Sequence, residues 1–211
     1  MAHKKRISQN QFTPSIQTLE MPLWLLPDLT WFQQALQANT ILIDDTAPFQ
    51  KQTLLSRYAI GGPNNIQWLS IPIQHHSRGL PLADTTIDYH QSWVKDHKQA
   101  WQTAYGKTPF FEFYDHRFFQ IFDAHILSLA DLSWELLQLL HLSLNLPNRL
   151  IRKSTLPPQK SYQTDHLKQP IPNAEEFPFF TLPYPQIFDI KHGFRYPLSA
   201  IDYLFQNYPN F

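Results

Sequence analysis

Short apolar runs broken by prolines open the chain, and longer amphipathic stretches follow. Ile16–Leu19 reads as a first strand, ahead of the proline-punctuated segment Met21–Asp28. Asp28 can cap a short helix running through Ala38, with Leu29, Phe32 and Leu36 on one side. Ile41-Leu42-Ile43 places three apolar residues in a row, the pattern of a strand covered on both faces, and it ends on Asp44-Asp45. Strand, helix and strand in this order open an α/β unit. The segment Phe49–Ile60 follows, then Gly61-Gly62-Pro63-Asn64-Asn65 as a turn into a strand over Ile66–Ile73. Gln74–Leu82 reads as a loop, and Thr86–Tyr89 as a further short strand.

The middle of the chain changes period. After Ser92, Trp93, His97, Trp101 and Ala104 fall on one helical stripe, while Lys95, Asp96, Lys98, Gln99 and Gln102 face away. Thr108-Pro109 suits the start of a second helix, because proline at the first position loses no hydrogen bond. Phe110, Tyr114, Phe118 and Ile121 form its stripe, and a third helix is expected from about Ala124 to Leu146, stopping at Pro147. Residues 155–185 are rich in Pro, Gln, Ser and Thr and read as an extended excursion. Ser199 and Asp202 then have capping-box spacing ahead of a short amphipathic helix. The expected fold is α/β: a single domain over 15–211 with a small, mostly parallel sheet, an N-terminal βαβ-like unit and a helical middle. A flexible arm over 1–14 precedes it, where Lys4-Lys5-Arg6 reads as a solvated terminus.

Composition narrows the function classes. The chain has 211 residues with 17 basic and 17 acidic side chains, and this neutral balance argues against phosphate-backbone binding to nucleic acid. Having no cysteine, it has no disulfide, thiolate ligand or Cys nucleophile. The opening residues lack a secretory h-region, and no run reaches the ~20 apolar residues that span a bilayer. A cytoplasmic protein without membrane insertion is the expectation. Ten histidines invite a metal, but there is no His-Glu-x-x-His, and His75-His76 are adjacent in a loop. With only five glycines, no dinucleotide, P-loop or Gly-x-Ser-x-Gly fingerprint occurs, which argues against redox-cofactor enzymes and NTPases and leaves any cofactor unassigned.

An ordered set of segments is similar to one family, the WbqC-like proteins. It includes Phe49-Gln50-Lys51-Gln52-Thr53, Arg57-Tyr58-Ala59-Ile60, Trp68–Ile73, Ile87-Asp88-Tyr89, Trp93, His97, Ala104-Tyr105 and Thr108–Tyr114. It closes with Tyr184–Phe188 and Pro197–Phe205, and the whole covers roughly residues 19–209. The chain has Ser56-Arg57 where the family usually has Asn-Arg. The family's N-terminal polar-Pro-aromatic-x-Pro motif is only loosely echoed by Glu20-Met21-Pro22 and Trp24–Pro27. The resemblance implies an association with bacterial surface-polysaccharide gene clusters, and an acyl- or aminoacyl-transferase role on amino sugars.

Candidate chemistry is read from the residues themselves. Asp44-Asp45 end a strand expected to be parallel, where α/β sheets place ligands, and alternation lets only one of them, here Asp45, aim at a given pocket. The bland alternative is a solvated strand end or a cap. Lys51 and Arg57 would hold the diphosphate of a nucleotide-linked amino sugar or of an acyl carrier, or else form structural ion pairs. His97, between Trp93 and Trp101, would be a general base oriented by Asp88, or a hydrogen-bonded core histidine. Glu112 sits among Phe110–Tyr114, where rings would raise its pKa, or it merely complements the helix dipole. Asp45, Lys51, Arg57, Asp88, His97 and Glu112 are expected to converge on one cleft. Trp93 and Tyr105 would offer ring faces to sugar. The competing expectation is a non-catalytic sugar- or partner-binding protein of the polysaccharide assembly machinery.

Overall fold

The computed structural model describes residues 14–77, 79–157 and 183–207. The expected arm over 1–14, except its last residue, lies outside these, as does most of the stretch 155–185.

The protein is α/β. Strand β1 (Ile16–Pro22), helix α1 (Leu29–Ala35) and strand β2 (Ala38–Asp44) form the expected opening unit, with β1 and β2 parallel. Asp28 caps α1 by accepting the Trp31 amide at 2.9 Å. The helix stops at Ala35, three residues short of expectation, because Ala38 is already the first residue of β2. Ile41, Leu42 and Ile43 are all buried, as befits the central strand of a sheet ordered β1-β2-β5. β5 itself (Arg149–Arg152) has only Leu150-Ile151 between arginines. It pairs parallel with β2, Ile43 opposite Arg152.

Strands β3 (Arg57–Gly61) and β4 (Ile66–Ser70) form a separate antiparallel hairpin. The turn is closed by Gly62 N–H donating to the Asn65 carbonyl at 2.9 Å and Ile66 N–H to Asn65 Oδ1 at 2.8 Å. A Cβ at Gly62 would come within 2.9 Å of that carbonyl oxygen, so the turn requires glycine. β4 ends at Ser70 rather than Ile73, since Ile71 N–H turns to Ser56 O. Thr86–Tyr89 forms only single bridges, through Thr86 to Ser128 and Ile87 to Ile73.

Helices α2 (Trp93–Tyr105), α3 (Phe111–Asp123) and α4 (Leu129–Ser143) make the middle section. Trp93, His97, Trp101 and Ala104 are all buried, as their stripe requires. Trp101 packs against Phe118, Phe119, Phe122 and Phe205, with ring centroids 5.4–5.8 Å apart. α3 begins two residues beyond Pro109, because Thr108 N–H and Oγ both bond back to the Tyr105 carbonyl. α4 begins at Leu129, not Ala124: Ala124 ends α3, His125 takes φ 50°, and Ser128 caps the new helix. Helix α5 (Asp189–His192) precedes α6 (Ala200–Gln206). Ala200–Phe205 are buried without a break, so α6 is enclosed rather than amphipathic. Ser199 caps it, but the Asp202 carboxylate turns inward instead of closing a capping box. Among the described residues no helix is long and apolar enough to cross a membrane.

Candidate functional site

A cavity of about 380 Å³ opens where three pieces of chain meet. The segment Trp24–Asp28 forms one wall, β3 and Trp68 of β4 another, and Pro197–Ser199 the third. Backbone bonds tie these walls together: Leu25 N–H to Leu54 O, Ser199 N–H to Ala59 O, and Ala200 N–H to Pro27 O, each 2.8 Å. Leu26, buried in the first wall, is held at φ 50°, a conformation that costs a leucine about 1–3 kcal/mol and persists only where surroundings enforce it. The lining is mostly apolar, with few polar groups, the composition of a small-molecule pocket.

Arg57 is the cation in this lining. In the hairpin Ala59 pairs with Trp68, so Arg57, two residues before Ala59, shares Trp68's face of the ribbon. Ala59 is small enough to let the guanidinium reach over the indole, with Cζ 4.7 Å from the ring centroid. Arg57 Nε is buried and has no hydrogen-bond partner, and among the described residues no carboxylate pairs with the guanidinium. An unmet buried donor costs about 1–3 kcal/mol, so this N–H is poised for an acceptor that a ligand would bring. Among the described residues, Asp28 is the only carboxylate lining the cavity. Burial pushes its carboxyl above the usual range, against the hydrogen bond from the Trp31 amide.

His97 is 2% exposed, on the far side of β3. Its Nε2 lies 3.3 Å from the Ser70 carbonyl, which can only accept, so Nε2 carries the proton. Nδ1 then accepts from the Tyr58 hydroxyl at 3.1 Å, and that hydroxyl accepts from Trp101 Nε1–H at 2.8 Å. Burial pulls the His97 pKa down to about 4, against the hydrogen bond to Ser70. With both nitrogens engaged, the ring has the geometry of a satisfied core histidine rather than of a free base.

The other candidates scatter, correcting the expected convergence. Asp45 is fully buried at the sheet's edge, accepting from Arg152 Nε at 2.8 Å and from the Ser154 amide at 3.0 Å. Burial acts to raise its pKa, but the bonds from Ser154 and Arg152 outweigh it and hold the carboxyl low. Arg152 also grips Asp131, so this cluster is a latch between β2, β5 and α4. Lys51 is exposed and outside the cavity lining. Asp88 accepts from the His90 amide at 3.0 Å and from Gln91 Nε2 at 3.2 Å, so it orients its own loop instead of His97. The His90 amide bond chiefly lowers its pKa. Glu112 points outward in the first turn of α3, away from the rings expected to desolvate it. Trp93 is 3% exposed and packs on Tyr89, His97 and Phe122, leaving no face for sugar.

Tyr105 is likewise enclosed. Its hydroxyl accepts from Gly61 N–H at 3.1 Å and donates to Asp202 Oδ1 at 2.7 Å. Asp202 Oδ2 receives Tyr184 at 2.7 Å and Gln206 at 3.0 Å. Burial pushes the Asp202 pKa up to about 6, against these bonds. A Cβ at Gly61 would sit 3.1 Å from Asp202 Oδ1, a tight contact that the carboxylate could relieve only by shifting within the knot.

Of the residues singled out from sequence, Arg57 alone lines the cavity. Trp68 and Asp28 are the additions, and the hairpin register was the available signal for Trp68. The model of the WbqC-like protein family matches residues 24–176. That span holds Arg57, Trp68 and Asp28, while the third wall, Pro197–Ser199, lies beyond it. No curated protein and no solved structure matches the chain. With well over half its length matched, the chain belongs to the WbqC-like protein family, and this membership supports a general role in polysaccharide biosynthesis.

Proposed function

We propose that the cavity at Arg57 holds the anionic part of a donor or nucleotide-linked sugar, and that the protein is an acyl- or aminoacyl-transferase acting on amino sugars of bacterial surface polysaccharide. The observation that carries this reading is the Trp68-stacked guanidinium with its buried, unmet Nε–H. A planar fork of donors matches phosphate or carboxylate oxygens, and an apolar cavity strengthens that match by excluding water. In the transfer, the amine nitrogen attacks the donor carbonyl, a C–N bond forms, and the bond to the carrier breaks. Asp28, its carboxyl raised by burial, takes the proton from the attacking amine and returns it to the departing carrier. The test combines purified protein with acyl donors and nucleotide-linked amino sugars, reading mass gain on the sugar. Product with the wild type and a loss of at least about 100-fold with Asp28→Asn are expected. Absence of product with every pair overturns the transferase reading.

A second reading, a non-catalytic sugar-binding protein, is favoured by the engagement of both His97 nitrogens, which removes the histidine base. It predicts ligand binding at Arg57 that is unchanged in Asp28→Asn, with no turnover.

A further inference from the structure

Trp68 is 47% exposed, an unusual fraction for an indole on a strand, and Arg57 accounts for only one face of it. The same ring borders a second, open cleft of about 680 Å³ between the hairpin turn and the outer face of α2. Besides Trp68, its polar lining is Asn64, Asn65, Gln67, Asp96, Gln99 and Thr103. No lysine or arginine is among its described lining residues, although Lys191 Nζ and His192 Nε2 both reach the Pro63 carbonyl at its rim, each at 2.9 Å.

The hydrogen-bond inventory of this lining is largely open. The Asn65 side chain and carbonyl are used in the turn. The side-chain amides of Asn64, Gln67 and Gln99 have no hydrogen bond to another described residue, so each offers two N–H donors and one carbonyl acceptor. Thr103 donates to the Gln99 carbonyl and keeps its acceptor lone pairs. Asp96 receives Ser92 Oγ on Oδ2. The result is an aromatic face beside amide donors and acceptors and one carboxylate, with the Lys191 ammonium engaged by the Pro63 carbonyl at the rim. An anion meets the Asp96 carboxylate there, whereas a ring with an apolar C–H face and a rim of hydroxyls matches the indole and the hydrogen-bonding groups together.

We infer that this cleft is a subsite for an uncharged polyhydroxylated ring, a hexose or N-acetylhexosamine, that packs its C–H face on Trp68 and bonds its hydroxyls to Asn64, Gln67 and Gln99. The assignment of the two clefts to one extended ligand rests on the anion-binding reading of the Arg57 cavity. The sugar subsite itself does not. The shared indole links them: the anionic portion lies on the Arg57 side and the neutral ring on the amide side.

The experiment titrates the ¹⁵N-labelled full chain with methyl glycosides of glucose and N-acetylglucosamine, following side-chain amide and indole resonances. Weak sugar sites bind in the millimolar range, so titration to about 50 mM reaches saturation. Shifts confined to the Asn64, Gln67 and Gln99 amides and the Trp68 indole are expected. Affinity should fall on the order of tenfold in the double variant Asn64→Ala, Gln99→Ala, whose positions are solvent-facing. Glu112→Gln, at an exposed position on α3, should leave it within about twofold, well under one hydrogen bond's worth. No shifts at saturation, or shifts that map to other residues, overturn the subsite. A parallel titration with inorganic phosphate, read at Arg57 Nε–H, keeps the two claims apart. Glycoside shifts without a phosphate response uphold the subsite and remove the Arg57 reading. A phosphate response without glycoside shifts does the reverse.

Discussion

The Arg57 guanidinium carbon stands 4.7 Å from the centroid of the Trp68 ring, on the same face of a two-stranded ribbon whose other face is core. The indole holds the cation in place without neutralising it, which an ion pair would do. Trp68→Ala removes that support while burying little less apolar surface, because the ring is already 47% exposed. The expected outcome is a stability loss of no more than about 1–2 kcal/mol by denaturant titration, since cation–π contacts at such sites are worth about 0.5–2 kcal/mol. Binding of anionic ligand should fall at the same time. A collapse of the fold would mean Trp68 is a core residue in function.

His97 makes the protein sensitive to acid. Its pKa lies at about 4 in the folded chain, below the unfolded value of 6.5. The stability it contributes is therefore present above pH 6.5 and is lost as pH falls from 6.5 through 4. The difference amounts to about 3 kcal/mol. Replacing His97 with Gln removes the titration. Its unfolding free energy should lack the decline the wild type shows across that window. Equal slopes in the two proteins would exclude a buried neutral imidazole.

Asp202 acts with the opposite sign. Its folded pKa of about 6 lies above the unfolded 3.8, so its protonated form is favoured on folding, and its contribution falls as pH rises from 3.8 through 6. The two trends offset between pH 4 and 6, and the wild-type profile alone conceals both. Asp202→Asn in a His97→Gln background should flatten the remaining slope in that range. Tyr105→Phe should cost about 1–3 kcal/mol at neutral pH, by leaving Oδ1 without its donor and Gly61 N–H without its acceptor.

The latch at the sheet's edge should prove structural. Arg152→Ala removes the guanidinium bonded to Asp45, which is 0% exposed. A loss of about 3–5 kcal/mol is expected by chemical denaturation. Asp131→Ala, on the half-exposed side of the same guanidinium, should cost under about 1 kcal/mol. Equal losses for the two would show that the bridge to α4, not the burial of Asp45, holds the latch.

What the sequence reveals divides along contact range. The run Ile41–Ile43 predicts a doubly covered strand, and β2 is one, because neighbouring residues alone set that pattern. The stripe Trp93, His97, Trp101 and Ala104 predicts the buried face of α2 for the same reason. β5 is hidden: two apolar residues between arginines resemble a loop, and its identity comes from pairing with β2 more than a hundred positions away. Tyr105 and Asp202 are joined across 97 residues, and no local period encodes that. Glu112 shows a different limit: sequence puts it among phenyl rings, but helical geometry turns it to solvent while Phe111 and Tyr114 turn inward. Trp68 was within reach, since counting back across the Gly61–Asn65 turn brings it opposite Ala59 and beside Arg57.

The most direct test of the anion-binding cleft is calorimetric titration of wild type, Arg57→Lys and Arg57→Ala with a nucleoside diphosphate sugar, alongside thermal melts without ligand. The cleft predicts measurable binding by the wild type and a loss of about 1–3 kcal/mol in Arg57→Lys, because an ammonium keeps the charge but not the planar fork. Without ligand, Arg57→Ala should lose no more stability than its contact with Trp68 is worth, about 0.5–2 kcal/mol, since Arg57 makes no ion pair with a described residue. Unaltered affinity in Arg57→Ala, or a large fall in its melting temperature that no ligand modulates, would contradict the account and make Arg57 part of the architecture.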